Sequence, residues 1–482
     1  MIHSEHRSDS SFPSNAHPIA DRETIAAIAT PPGSGGVGIV RISGPGSLAI
    51  LKSMFRPMEH GFAGFIPRTL HLGKMLDDAG RIVDEGLAVW FKAPRSFTGE
   101  DCVELHAHGG LAVLAALLDS VLARGARPAE RGEFTRRAVM NGKMDLSQAE
   151  AVAELVAAPS REGVYLASAK LDGLLGKRID SLRTRLENLR QRVCLAIDFP
   201  EEESISLPAD EFQAAVKNVE DDILTLLNGY ERAQCWREGS LVVIAGRVNS
   251  GKSSLMNALL GRPRAIVADM PGTTRDYLEE QAMLAGLPVR LADTAGLRWQ
   301  TEDPVEKEGI RRGMELARNA RCILLILDGS LFSRGQDLNE IFAEEKSLAL
   351  TFGPTRCVPV WNKVDAEDLP PDMERFFGSP VLPISALNGT GLDALCNEVR
   401  KRCLEGASDD EPVIAPNLRQ MRLLKQALET LRSLRQSIRD GMPPDICGLH
   451  LEQAAADLSS ITGLDSTDET LNTIFSSFCI GK

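Results

Sequence analysis

The sequence predicts a multidomain chain of α+β and α/β type, with an α/β domain inserted into a helical one. Three observations carry that prediction. Residues 21–142 alternate short β-like runs with glycine turns, the texture of an α+β domain. Residues 238–405 alternate short apolar runs with helical patterns, the signature of a doubly wound, mostly parallel sheet. Apolar seams at helical spacing lie on both sides of that region, and the simplest partner for each half is the other. The expected organisation is a polar, disordered tail over 1–20, an α+β domain over 21–142, and an α/β domain over 238–405. Helical segments over 143–237 and 406–482 together form one discontinuous domain.

Within the α+β region, GGVGIVRISG (35–44) and LAVWFKAP (87–94) read as strands, and HGGLAVLAALLDSVLARGARP (108–128) reads as a helix. Leu175, Ile179, Leu182, Leu186, Leu189, Val193 and Ala196 then recur at spacings of four and three. They form an a/d seam on a long helix that Pro200 stops. Strand candidates in the α/β region are 241–245, 288–292, 322–327, 357–361 and 380–384. Leu424, Leu428, Leu431, Leu434 and Ile438 resume the helical spacing, which continues almost to residue 482. No internal repeat or low-complexity tract is visible.

The 482 residues are long for one core and predict two to four domains, and 43% apolar with 25% charged residues is the composition of an ordinary soluble protein. A net charge of −13 argues against broad, non-specific coating of nucleic acid. A local basic stretch remains, with Arg124, Arg127, Arg131, Arg136, Arg137 and Lys143, and an ordinary solvated face explains it equally well. The nine cysteines are scattered and form no C-x-x-C, which fits a reducing compartment and offers no disulfide frame or zinc site. His106 and His108 stand two apart beside Gly109-Gly110 without a third ligand, so they read as structural. No apolar run approaches the ~18 residues of a membrane span. The first residues lack the apolar core of a signal peptide, and Glu5 and Asp9 interrupt any transit-peptide pattern, so a cytoplasmic location is expected.

The strongest chemical signal is LVVIAGRVNSGKSSLMNALLG at 241–261. An apolar strand runs into a loop, Gly246 to Ser253, that fits G-x-x-x-x-G-K-[ST] and opens a helix. Backbone N–H groups of such a loop cradle phosphates. Gly251 allows close approach, Lys252 reaches the β and γ phosphates, and Ser253 offers a hydroxyl to Mg²⁺. Further segments follow in order. Gly272-Thr273-Thr274 offers Thr274 to Mg²⁺ and the γ-phosphate. In Asp293-Thr294-Ala295-Gly296, Asp293 can hold a Mg²⁺ water and Gly296 can sense the γ-phosphate. In Asn362-Lys363-Val364-Asp365, the Asp365 carboxylate accepts from guanine N1–H and the exocyclic amine, a pattern adenine lacks. Ser385-Ala386-Leu387 would cover the base. Together they predict a Ras-like P-loop GTPase domain. Leu297 stands after Gly296, and an apolar side chain cannot orient water as the Ras glutamine does, so hydrolysis needs another device. Asn249 is a candidate ligand for a monovalent cation, and Glu302, Glu306 and Glu308 are candidate water-orienting carboxylates.

The inserted GTPase region, TIAAIATPPGSGGVGIVRISG, SFTGEDCVELHAHGG, GEFTRRAVMNGKMDLSQAEAVAELV and the closing IFSSFCIGK together resemble the MnmE (TrmE) family of tRNA-modification GTPases over residues 21–482. The resemblance implies a potassium-stimulated G domain that dimerises across the nucleotide. It implies an N-terminal domain that makes a homodimer and binds a tetrahydrofolate derivative, in 5-formyl or methylene form. It also implies an FAD-containing MnmG-type partner, a heterotetramer with it, tRNA as substrate, and no membrane. The product would be an aminomethyl or carboxymethylaminomethyl group at C5 of the wobble uridine. Carried onto this chain, K⁺ would meet Asn249, Thr273 and the carbonyls of Ala268 and Met270, while Mg²⁺ would meet Ser253 and Thr274. Nucleotide contacts would extend to Ser250, Ser254, Asp269 and Pro271. Glu306 matches the water-orienting glutamate, with Glu302 as runner-up, and joins Asn249 and Lys252 in catalysis. Arg41, Glu104, Lys143 and Lys482 match folate-contact positions, and Cys479 matches the C-terminal cysteine and is a further catalytic candidate, although a cysteine between Phe478 and Ile480 is usually a buried small hydrophobe. Arg137-Ala138 departs from a common Glu-Arg-Ala segment, so a local ion pair is expected to differ. Two other readings stay open: a regulatory GTPase of ribosome-assembly type, and a conformational scaffold with no direct role in the modification.

Overall fold

The structure is a computed structural model that describes residues 23–199, 208–261, 279–293, 304–332, 338–370, 373–376, 378–404, 414–464 and 467–482. They fall into two compact units. One comprises the described residues up to Ala153 with Gly176–Arg183 and Ala456–Lys482; the other comprises Glu154–Leu175 and Thr184–Ala455.

The first unit is built on a mixed sheet. Its elements are β1 (Ile25–Ile28), β2 (Gly35–Ser43), α1 (Ser47–Met54), β3 (Phe55–Pro57), β4 (His71–Leu76), β5 (Ile82–Phe91), β6 (Cys102–Gly109), α2 (Leu111–Leu122), β7 (Arg127–Pro128) and α3 (Glu133–Met140). The seven strands lie in the order β3-β4-β5-β6-β2-β1-β7. All pairs are antiparallel except β1 with β7. Val40, Ile42, Val103 and Leu105 of the central pair are buried with Leu114, Leu117 and Val121 of α2 in one apolar cluster. The helix expected over 108–128 is shorter: His108 and Gly109 finish β6, and Arg127–Pro128 is a strand. The strand expected over 87–94 starts earlier, at Ile82, and ends at Phe91, ahead of Pro94, which has no N–H for a ladder.

The second stretch of chain opens with α4 (Leu146–Ala157), α5 (Arg161–Leu171), α6 (Leu174–Asp198) and α7 (Ala209–Arg237). Leu186, Leu189 and Val193 of the predicted seam are buried, while Pro200, the expected stop, lies outside the described residues. The sheet region follows, with β8 (Ser240–Gly246), α8 (Lys252–Leu260), β9 (Glu279–Leu284), β10 (Leu287–Asp293), α9 (Pro304–Asn319), β11 (Cys322–Asp328), α10 (Leu338–Ile341), α11 (Ala343–Phe352), β12 (Cys357–Asn362), β13 (Arg375–Phe376), β14 (Ser379–Pro380), β15 (Leu382–Pro383) and α12 (Leu392–Leu404). Then come α13 (Leu418–Arg439), α14 (Pro444–Thr462) and α15 (Asp468–Ser476).

The six-stranded sheet has the order β15-β12-β11-β8-β10-β9 and is parallel except for β9 with β10. Strands β8 and β11 are buried along their whole length because apolar clusters cover both faces. Val242, Ile244, Leu324 and Ile326 point to one cluster; Leu241, Val243, Ala245, Ile323, Leu325 and Leu327 point to the other. The sequence reading lacked β9. Its hairpin turn is Ala285-Gly286 with φ of 47° and 81°, a left-handed pair that Asn-Gly would have signalled more clearly. The strand expected at 380–384 is divided, since Ser379–Pro380 pairs with β13 and only Leu382–Pro383 joins β12. α13 begins with a capping box, in which Asn417 and Gln420 exchange side-chain and backbone bonds. Among the described residues no helix is long and apolar enough to cross a membrane.

Candidate guanine-nucleotide site and a second polar face

The loop between β8 and α8 leaves the sheet at the carboxyl ends of its parallel strands, where α/β sheets bind ligands. Asn249 and Gly251 adopt left-handed backbone, with φ of 65° and 94°. That turns successive N–H groups inward, toward the start of α8. Lys252 is buried, and its Nζ donates to the carbonyls of Gly246 at 2.9 Å and Arg247 at 2.6 Å. Burial pushes this ammonium below its usual range, against the pull of Asp293 and Glu345. Ser253 Oγ donates to Asp293 Oδ2 at 3.0 Å, joining the loop to the end of β10. Ser250 Oγ and Asp293 Oδ1 are buried without a hydrogen-bond partner among the described residues. A buried hydroxyl and a buried carboxylate oxygen left unpaired are costly unless a ligand completes them, so they fit phosphate and Mg²⁺. Ser254 is exposed beside them. Arg247, within the loop, pairs with the buried Glu345 of α11 at 3.2 Å.

The base-recognition segment meets the loop directly. Asn362 Nδ2 donates to the Ser250 carbonyl at 2.8 Å, and its Oδ1 accepts from the Ala386 N–H at 3.1 Å. One side chain thereby ties three sequence motifs together. Lys363 Nζ donates to the Asn249 carbonyl at 3.0 Å and pairs with Asp328 at 2.8 Å. Asp365 is exposed, and its Oδ1 accepts from the buried Ser385 hydroxyl, which aims the carboxylate. Leu387 is 86% exposed, so it presents apolar surface at the rim of this loop. Asp328 and Ser330 were absent from the sequence reading. The available signal was an acidic residue closing the apolar run CILLILD, buried at the end of β11. Ala268, Asp269, Met270, Pro271, Gly272, Thr273, Thr274, Thr294, Ala295, Gly296, Leu297 and Glu302 lie outside the described residues. So do the side chains of Glu306 and Glu308, whose backbone belongs to α9.

In the other unit, Arg41 and Glu104 are cross-strand neighbours in β2 and β6. Arg41 Nε and Nη2 approach Glu104 Oε1 at 2.9 and 2.8 Å, and His106 meets Glu104 Oε2 at 3.3 Å. Burial favours the neutral acid, but His106 and Arg41 outweigh it and hold the Glu104 carboxyl below its usual range. The Arg41 guanidinium lies over the rings of Phe97 at 5.6 Å and Phe134 at 5.7 Å. Its Nη1 donates to the Gly481 carbonyl at 3.4 Å. Gly481 sits so close to β1 that a Cβ there would run into the Ile28 carbonyl. Lys482 is partly buried, and burial together with the charge of Arg41 lowers its ammonium below the usual range. Lys143 is exposed, donates to the Pro94 carbonyl at 3.1 Å and lies against Gly99, on the loop that carries Phe97. Phe97 and Phe134 escaped the sequence reading because nothing local distinguishes them from core.

Other candidates resolve differently. Most of the basic stretch is spent on neighbours rather than on a nucleic-acid face. Arg124 donates to the Ser120 and Asp77 carbonyls, Arg127 to Glu23 and Glu133, and Arg131 to the Phe478 carbonyl. Arg137 is 4% exposed and pairs with Glu100 at 3.0 Å and Glu133 at 2.9 Å, the local ion pairing in which a difference was expected. His106 and His108 each meet a separate carboxylate, Glu104 and Asp84. A cysteine between two apolar residues is usually buried, but Cys479 is exposed, because Phe478 fills the apolar seat beside Phe475 while the Cys479 carbonyl accepts from the Gly132 N–H.

Comparison with known proteins agrees with this architecture. A family model described as GTP-binding protein TrmE N-terminus matches residues 24–143, and one described as MnmE helical domain matches residues 146–479. The chain is 49% identical over 466 residues to a protein of Nitratidesulfovibrio vulgaris named tRNA modification GTPase MnmE, covering 95% of this chain and 99% of that one. Proteins of the same name from Lawsonia intracellularis and Aquifex aeolicus are 46% identical over 466 residues and 42% over 463. They cover 95% and 96% of this chain and the full length of each relative.

Proposed function

The chain belongs to the MnmE family of tRNA modification GTPases, and from that premise we propose that it hydrolyses GTP under stimulation by K⁺ to drive modification of the wobble uridine of tRNA. The observation that carries the nucleotide reading is the junction of Asn362 with the Ser250 carbonyl, beside an Asp365 carboxylate aimed by Ser385. It joins a phosphate loop to a guanine-selective carboxylate. In the proposed site Ser253, with Thr274, would hold Mg²⁺, which would neutralise phosphate charge when bound. Lys252 exchanges its bonds to loop carbonyls for bonds to β and γ phosphate oxygens. Asn249, with Thr273 and the Ala268 and Met270 carbonyls, would hold K⁺ beside the phosphates, and Glu306 orients the attacking water.

The Arg41, Glu104, Lys143 and Lys482 face takes a tetrahydrofolate derivative, the cations meeting its carboxylates and Glu104 accepting from the pterin N–H edge. The chain works in the cytoplasm as a homodimer and joins an FAD-containing MnmG-type partner in a heterotetramer. That assembly installs an aminomethyl or carboxymethylaminomethyl group at C5 of the uridine. At equal ionic strength, GTP turnover is expected to fall sharply when Na⁺ replaces K⁺; equal rates would overturn the cation assignment. Glu306→Ala should bind GTP normally and hydrolyse it roughly 10²–10⁴-fold more slowly. Mass spectrometry of wobble nucleosides from a deletion strain tests the modification itself, and an unchanged nucleoside profile sinks it.

A further inference from the structure

We propose that Asp328 is a positioning residue that sets the lifetime of the bound guanine nucleotide by locking the base-recognition segment to the phosphate loop. The proposal rests on the nucleotide-site reading above and extends it to a residue outside every motif that reading used. Asp328 closes β11 and is 5% exposed. Its Oδ1 accepts from the Ser330 N–H at 3.0 Å and from the Ser330 hydroxyl at 2.6 Å. Its Oδ2 accepts from Lys363 Nζ at 2.8 Å. The same ammonium donates onward to the Asn249 carbonyl at 3.0 Å and lies 3.3 Å from Ser330 Oγ.

Both ends of this bridge are strained. Lys363 and Asn249 are non-glycine residues in left-handed backbone, with φ of 70° and 65°. Such conformations are costly and persist only when neighbours over-determine them. A single ammonium contacts the backbone of one and belongs to the other. Asp328 supplies the buried countercharge that holds that ammonium in place. The turn carrying Asp328 is itself fixed. A Cβ on Gly329 would come within 2.7 Å of Trp361 Nε1 and 2.8 Å of the Asn362 carbonyl, so the turn packs flush against the strand that delivers Asn362. The Asp328 carboxylate thereby acts through Lys363 on two loops, one for the base and one for the phosphates.

Asp328→Asn keeps the shape and removes the charge. Release of a fluorescent GDP analogue is expected to quicken roughly 10-fold, the size of one lost charge-assisted hydrogen bond. KM for GTP should rise by a similar factor while kcat changes less. Because the effect runs through Lys363, the double variant Asp328→Asn/Lys363→Met should release GDP no faster than Lys363→Met alone. Wild-type release rates in Asp328→Asn, or effects that multiply in the double variant, would overturn the proposal. If Asp328→Asn does not fold, Ser330→Ala decides, since it keeps the charge and removes one orienting bond. Release about threefold faster supports the proposal, and an unchanged rate defeats it. A wild-type protein that binds GDP no better than ADP would instead refute the nucleotide-site reading, a separate failure.

Discussion

In the nucleotide-binding unit, the candidate site sits at the carboxyl ends of neighbouring parallel strands, and its short motifs hold one another, as Asn362 holds the Ser250 carbonyl and Ser385 holds Asp365. In the other unit, Arg41 meets Glu104 across an antiparallel pair and Gly481 across 440 residues of chain. The first arrangement makes a site from backbone: phosphate is bound by N–H groups that any sequence carries, provided the loop has the right turn. The second makes a site from side chains, and every one of them must be aimed by something else. The aromatic rings of Phe97 and Phe134 and the terminal segment do that for Arg41. A site of the first kind tolerates change nearby and depends on a few bonds at its centre. A site of the second kind depends on the buried scaffold beneath it.

That contrast can be broken by two substitutions and one titration. Arg137 lies in the scaffold of the first unit between the buried Glu100 and Glu133, and Arg137→Met removes an ion-pair partner from each, although Glu133 keeps Arg127. The expected loss is about 3–5 kcal/mol of stability, read by thermal unfolding, with GDP affinity unchanged. A drop in GDP affinity would mean that the two sites are not independent. Asp365→Asn tests the opposite case. It should cost about 3 kcal/mol of guanine-nucleotide affinity by calorimetry and leave the melting midpoint of the ligand-free protein within a degree or two. Xanthine nucleotides, which carry a carbonyl in place of the guanine amine, should regain much of the loss; equal weakening for both bases would exclude Asp365 from base recognition.

The smallest effect concerns Glu133. Burial alone would raise its carboxyl, but Arg127, the Glu130 N–H and Arg137 outweigh it and bring it down to about 2 from 4.5. A depressed carboxylate stabilises the fold above its unfolded value and stops doing so as pH falls through its folded value. The first unit should therefore keep its stability down to about pH 4.5 and lose it progressively toward pH 2. Glu133→Gln should flatten that part of the curve. An unaltered acid profile in the variant would remove Glu133 from the account.

How much of this was readable from residues alone follows the same divide. The strands at 241–245, 288–292, 322–327 and 357–361 were legible because a parallel strand covered on both faces is a continuous apolar run. The phosphate loop was legible because its chemistry fixes residue types at fixed spacing. Asp328 was not, since a lone acid after an apolar run carries no spacing rule. β9 escaped because in EEQAML only Ala282 and Leu284 alternate onto the apolar cluster, too short a pattern to stand out, and its Ala-Gly turn is a weak hairpin signal. Arg41 and Glu104 stand out in the sequence only through resemblance to a family, each as a folate contact, and nothing there pairs them with each other. Cross-strand register is a property of the assembled sheet, and no local pattern around either residue encodes the other.

The seating of Gly481 against β1 also has a meaning in time. Arg41 leaves the ribosome long before its carbonyl partner, which follows 440 residues later. At ordinary synthesis rates that interval is roughly 20–90 seconds. For all of it the β-sheet can form and the nucleotide-binding region can be made, yet the Arg41 face lacks its last wall. A growing chain therefore has no finished Arg41 face until the segment that carries Gly481 has emerged.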